Sequence, residues 1–202
     1  MKTLLISLSV IFSSFLGYSQ SSADLMGSGK DKFKSEDYAG AIKDYDKAIK
    51  ADNKNAEAYY LRGKAYAMLV KHDDAIKDFD KAMSLGLKNA DVFFVRGNSH
   101  LAEEHWHDAL SDYTQTITLD PKIRDAYYNR GESYAGLGLY KNALVDYSKT
   151  IELDPKDADA YYKRGLTNQT LGNKQEACSD FATAQQLGHQ GLEDLIKKTC
   201  KK

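Results

Sequence analysis

Apolar positions between residues 22 and 191 recur at spacings of three and four, in pairs of short segments. Ala126, Tyr127, Tyr128, Gly131 and Tyr134 make one such segment, and Ala143, Leu144, Tyr147 and Ile151 make its companion. That spacing puts each set on one face of an α-helix. Turn formers such as Gly136-Leu137-Gly138 separate the two. The second segment stops at Leu119-Asp120-Pro121 or Leu153-Asp154-Pro155, where proline cannot extend a helical ladder. A glycine returns at one fixed interval along the chain, at Gly29, Gly63, Gly97, Gly131 and Gly165. An alanine follows each glycine at a constant distance (Ala41, Ala75, Ala109, Ala143, Ala177), and an aromatic stands four further on (Tyr45, Phe79, Tyr113, Tyr147, Phe181). The pattern predicts five helix–turn–helix units, 22–55, 56–89, 90–123, 124–157 and 158–191, stacked on one another. Glycine lets the two helices of a unit approach, alanine serves the same end, and the aromatic fills the space beside them.

Both ends depart from the repeat. Lys2 and the apolar stretch Leu4–Leu16, followed by small residues at Gly17 and Ser19, form the pattern of a secretory signal peptide over residues 1–19. About 13 apolar residues fall short of the roughly 20 needed to span a bilayer. An exported protein, periplasmic or secreted and without a stable membrane anchor after cleavage, is the expectation. At the other end Leu192, Leu195 and Ile196 form an apolar stripe with Cys200 on the same side, so 192–202 reads as a capping helix over the fifth unit. Cys178 occupies the column of Ile42, Ile76, Leu110 and Leu144, which points it at the same interface. In an exported chain a Cys178–Cys200 disulfide would fasten the cap, a contribution of about 3 kcal/mol by loop entropy.

Charge narrows the partner classes. The 28 basic residues nearly balance 29 acidic ones, a poor match to nucleic acid. Two cysteines are too few for a disulfide-stapled scaffold.

The recurring order of Gly, Tyr, Ala, aromatic and Pro, and the period at which it recurs, resemble the tetratricopeptide repeat family over residues 22–191. The resemblance implies an all-α, right-handed superhelical solenoid whose first helices line a concave groove for an extended or helical peptide. Counted from each glycine, the positions facing that groove are an acidic row (Glu57, Asp91, Asp125, Asp159), an aromatic row (Tyr60, Phe94, Tyr128, Tyr162) and a mixed set that includes Asn98, Asn129 and Lys163. Aromatic anchors with a polar rim suit a peptide, and the acids would steer a basic one. Asn98, Asn129 and Lys163 also match part of the clamp with which some family members grip a chaperone's C-terminal carboxylate. Phe94 and Asp159 stand where that clamp needs lysines, and an aspartate repels a carboxylate, so the clamp is excluded.

One polar pattern is nearly as regular as the glycine. Arg62, Arg96, Arg130 and Arg164 each precede a glycine, and Asp44, Asp78, Asp112, Asp146 and Asp180 follow the five glycines at an equally constant distance. With Ser28 in the missing arginine's place, the expected pairs run between neighbouring units: Asp44–Arg62, Asp78–Arg96, Asp112–Arg130 and Asp146–Arg164. Within-unit pairing would instead leave Asp44 without its arginine.

Signals for chemistry are sparse. Gly27-Ser28-Gly29-Lys30 lacks the remainder of a phosphate-binding loop. His100, Glu103, Glu104, His105 and His107 cluster beside Trp106 in the third unit, and His100 with Glu104 has the spacing of two ligands on one helix face. The expected function is therefore non-catalytic: a scaffold holding a protein or peptide, with no cofactor and no metal. The alternatives are a metal-binding or accessory enzyme component built on the third-unit histidines, and a purely structural spacer.

Overall fold

The computed structural model describes residues 21–200; the segment 1–19, read above as a signal peptide, lies outside the described residues. Among the described residues eleven α-helices and no strands occur: α1 (Ser22–Lys34), α2 (Tyr38–Ala51), α3 (Ala56–Met68), α4 (His72–Ser84), α5 (Ala90–Ala102), α6 (Trp106–Leu119), α7 (Arg124–Gly136), α8 (Tyr140–Leu153), α9 (Ala158–Thr170), α10 (Lys174–Gln186) and α11 (Glu193–Cys200). Each odd-numbered helix from α1 to α9 packs most closely on the helix that follows it, and the resulting pairs stack in chain order. The first helices of neighbouring pairs also touch, α1 with α3, α3 with α5 and α5 with α7.

Local chemistry sets the helix ends. Ser21 caps α1 in a reciprocal box with Asp24. Asn55, Asn89 and Asp157 accept from the backbone N–H three residues on and start α3, α5 and α9. The corner inside each unit turns on one left-handed residue, at Glu36, Val70, Glu104, Gly138 and Gly172 in succession. Between units the chain turns in two ways. Asp52, Asp120 and Asp154 accept from the N–H two residues on, whereas Gly86 and Gly188 take positive φ. Asn53 can therefore replace the proline of later units without changing the turn.

The core is divided unit by unit. Tyr45, Phe79, Tyr113, Tyr147 and Phe181 are each fully buried inside their own unit, and the alanine column beside them is sealed from water. A Cβ added to Gly63, Gly97, Gly131 or Gly165 would lie 2.8, 3.0, 2.8 or 2.7 Å from the ring of Phe79, Tyr113, Tyr147 or Phe181 respectively; at Gly29 the ring of Tyr45 is closer still. The aromatic does not merely fill space beside the glycine but lies directly against it.

That contact decides the arginine pairing, and the inter-unit pairs expected from the sequence do not form. Arg62 grips Asp78 through Nε and Nη2 at 2.7 Å each, and Arg96 grips Asp112 at 2.9 and 2.6 Å. Arg130–Asp146 and Arg164–Asp180 repeat the two-pronged geometry. Each arginine precedes a glycine and each aspartate precedes the ring on that glycine, so the packing that joins one pair joins the other. Asp44, which has no arginine in its own unit, takes the Ser28 hydroxyl and the Lys32 ammonium, both at 2.6 Å. The arginines still bridge units through the free Nη1, which reaches back to Asp46, Asp80, Thr114 Oγ1 and Ser148 Oγ. Burial raises the pKa of Asp112, with Arg96 opposing it.

At the C-terminal end Leu192 is buried, and Cys178 of α10 is bonded to Cys200 of α11 across a Cα–Cα distance of 5.7 Å. The side chain of Gln169 donates to Thr199, a second tie between the fifth unit and α11.

Two glycines of α1 give opposite expectations. Gly27 has nothing within 4 Å of an added Cβ, so Gly27→Ala should raise the thermal midpoint, worth up to about 1 kcal/mol in helix propensity. Gly29→Ala should lower it, because overpacking Tyr45 outweighs that gain by about 1–2 kcal/mol. Arg130→Ala leaves Asp146 buried without its cation and should cost about 3–5 kcal/mol in chemical denaturation; Arg130→Met with Asp146→Leu should recover most of it.

Candidate functional site

The side-by-side first helices present one continuous face, and the positions named from the sequence lie on it with unequal freedom. Tyr60, Phe94, Tyr128 and Tyr162 are half-buried, each resting on the buried ring of its own unit, with centroids 6.2, 6.1, 5.8 and 6.3 Å apart. Tyr60 further donates to Asp91 of the next unit and lies under the Lys64 ammonium. These rings form the floor of the face more than projecting anchors. Each acid of the outer row, though exposed, has a partner: Glu57 with Lys30 at 2.8 Å, Asp91 with Tyr60, Asp125 with Arg124, and Asp159 with His189 at 3.6 Å. His189 also stacks on Tyr162 at 4.3 Å and closes that end of the row.

The mixed positions build a polar seam between units. Asn98 Oδ1 accepts from the Tyr113 hydroxyl at 2.8 Å and from Asn129 Nδ2 at 2.9 Å. One unit later Glu132 takes the same place, accepting from the Tyr147 hydroxyl on one oxygen and from the Lys163 ammonium, 2.5 Å away, on the other. Burial raises the Tyr147 pKa and the Glu132 charge raises it further, so the phenol stays a neutral donor. Asn98, Asn129 and Lys163 are thus brought together as a seam and not as a carboxylate clamp.

The open space on this face lies along the C-terminal halves of the first helices. A cavity of about 410 Å³ is lined by Leu101, Trp106, Glu132, Tyr140, Lys163 and Leu166, among others. A second, of about 180 Å³, lies among Phe33, Ala67, Met68, His72, Phe79 and Val95. Sequence reasoning missed Phe33, Met68, His72, Trp106 and Tyr140 as lining residues. The last three share a column with Tyr38 and Lys174 at the start of each second helix, and its ring-rich character was the available signal.

The third-unit histidines are divided by the corner at Glu104. His100 is half-buried near Asp112, with Nε2 4.0 Å from the carboxylate, and burial lowers its pKa. The rings of His100 and His105 stand 5.8 Å apart, and His107 is exposed. Among the described residues no group of three or more His, Cys, Asp or Glu side chains is arranged to hold a metal ion.

Four tetratricopeptide-repeat family models match residues 29–70, 56–85, 125–157 and 147–186, together more than half of the chain. The crystal structure of MamA protein is 30% identical over 82% of this chain and 91% of that one, with a TM-score of 0.78. The chain belongs to the tetratricopeptide repeat family. YrrB, described as a TPR protein with an unusual peptide-binding site, is 25% identical over 88% of this tetratricopeptide repeat protein and 92% of its own chain, with a TM-score of 0.80. MamA from Desulfovibrio magneticus RS-1, at 19% identity and a TM-score of 0.79 over 82% of this chain and 94% of that one, shares the fold. Comparison with curated proteins gave no match.

The seam and the rim should separate energetically. Asn98→Ala leaves the buried Tyr113 hydroxyl without its acceptor and should cost about 1–3 kcal/mol by urea denaturation. Lys30→Ala, which removes an exposed pair, should cost less than about 1 kcal/mol.

Proposed function

We propose that this protein is a non-catalytic scaffold that holds an unstructured segment of a partner protein on the concave face of its repeats, outside the cytoplasm. The observation that carries the reading is the line of cavities on the face of the first helices, walled by aromatic and aliphatic side chains and floored by a polar seam. Apolar hollows with a few placed polar groups suit side chains entering from a partner. YrrB, a repeat protein of the same family described as having an unusual peptide-binding site, supports a peptide as the class of partner. An extracytoplasmic setting is supported by the signal-like pattern of residues 1–19 and by the Cys178–Cys200 disulfide, a bond that persists in oxidising compartments.

Selection of random linear peptides against the protein, with a photo-crosslinking residue in each selected peptide, tests this directly. The expected attachment sites are on α3, α5, α7 and α9, with cavity residues such as Met68 and Leu166 among them. Cross-links confined to the outer face of α8, where Val145 is exposed, or no selected peptide at all, would overturn the reading.

A further inference from the structure

The two cavities of the concave face are one cavity repeated. Phe33, Ala67, Met68, His72, Phe79 and Val95 line the first; Leu101, Ala135, Gly136, Tyr140, Tyr147 and Lys163, each two whole repeats later, line the second. One repeat along, the Asn98–Asn129 hydrogen bond joins neighbouring first helices as Glu132–Lys163 does beside the second hollow, and the Trp106 ring leans onto Gly136. The face carries two hollows of different chemistry with the Asn98–Asn129 bridge between them.

We propose that the groove reads two side chains of a single extended segment: an aliphatic residue in the Phe33–Met68–Val95 cavity and a tyrosine in the Trp106–Tyr140 cavity, about five or six residues apart. This rests on the scaffold reading above and names the segment it would hold. The first hollow is small, about 180 Å³, and its walls are mostly carbon, which fits Leu, Ile or Met. The second is larger, about 410 Å³, and Leu101, Trp106, Tyr140 and Leu166 offer surfaces for a ring. Its charges are already matched, because Glu132 and Lys163 neutralise one another at 2.5 Å. A guest hydroxyl can donate to a remaining lone pair of Glu132 while that pair stays intact, whereas a guest charge would be desolvated there with no unmatched counter-charge to meet it.

The spacing follows from helix packing. Two steps between neighbouring first helices cover roughly 16–20 Å. An extended chain covers about 3.3–3.6 Å per residue, which gives five or six residues between anchors. The Asn98–Asn129 bridge then lies beneath the backbone of the intervening stretch.

Gly/Ser peptides carrying one Leu and one Tyr at separations of two, five, six and ten residues, in both orders, provide the probe. Trp106 is the only tryptophan and sits in the second cavity, so its fluorescence reports the tyrosine end. Peptides with a separation of five or six in the favoured order should bind about tenfold tighter than the others. Tyr→Phe in the peptide should cost about fivefold and still perturb Trp106. Met68→Glu, at a position 53% exposed where folding is retained, should erase the preference for Leu and leave the Trp106 response intact. Groove-bound peptides whose affinity ignores the separation, or ignores Met68→Glu, would sink the two-anchor reading and leave the scaffold reading standing. Failure of every peptide here and in the random selection would sink both.

Discussion

In every unit a ring from the second helix lies against the bare backbone of a glycine in the first, and the rest of the architecture is arranged around that contact. In four units the approach is too close for a Cβ without a shift, and at Gly97 it is at the limit, so the contact sets the helix separation within the unit. It also sets the rotation of both helices, because the residue before the glycine is brought to the residue before the ring. A buried two-pronged arginine–aspartate pair results in four of the five units. Such pairs add little net stability once desolvation is counted, but their fixed fork geometry ties rotation to register. The third arginine nitrogen reaches the preceding unit, so the same side chain transmits that register along the stack.

The ring does more than fill the interior. In the third and fourth units it is tyrosine, and its buried hydroxyl holds Asn98 or Glu132 from beneath, whereas the Tyr45 hydroxyl of the first unit is buried without a partner. Where it is phenylalanine, in the second, no hydroxyl is present, and the cavity beside it is the more apolar of the two. In the third and fourth units the core ring thus sets the polarity of the face above it. The core and the candidate site are two ends of one side chain.

Much of this was legible in the sequence. Spacings of three and four located both helices of each unit, and the glycine–aromatic columns named their contact. The arginine partners were misassigned because a period does not say which of two neighbouring copies supplies a partner. Asp44 and Asp78 lie at similar distances in sequence from Arg62, and only the ring's place on its own glycine chooses between them. The cavities were missed for a related reason. Projection along one helix gives the residues of that helix alone, while each hollow is closed by the opening residue of a second helix, such as Trp106 or Tyr140. The aromatic row was visible, but its seat on the buried rings depends on how deeply the two helices interlock.

The cap gives the stack a direction. Leu192 fills the far side of the fifth unit, and a covalent bond holds the short helix in place, so no sixth unit can dock there without displacing both. The interior joints carry no such lock and are nearly alike from one to the next. A lineage could lengthen or shorten this protein by gaining or losing a whole unit in the middle while its terminus stayed untouched. Duplicating the third unit would move the two hollows one repeat further apart and lengthen the segment that fits, whereas losing it would strip Val95 and Asn98 from one hollow and Leu101 and Trp106 from the other.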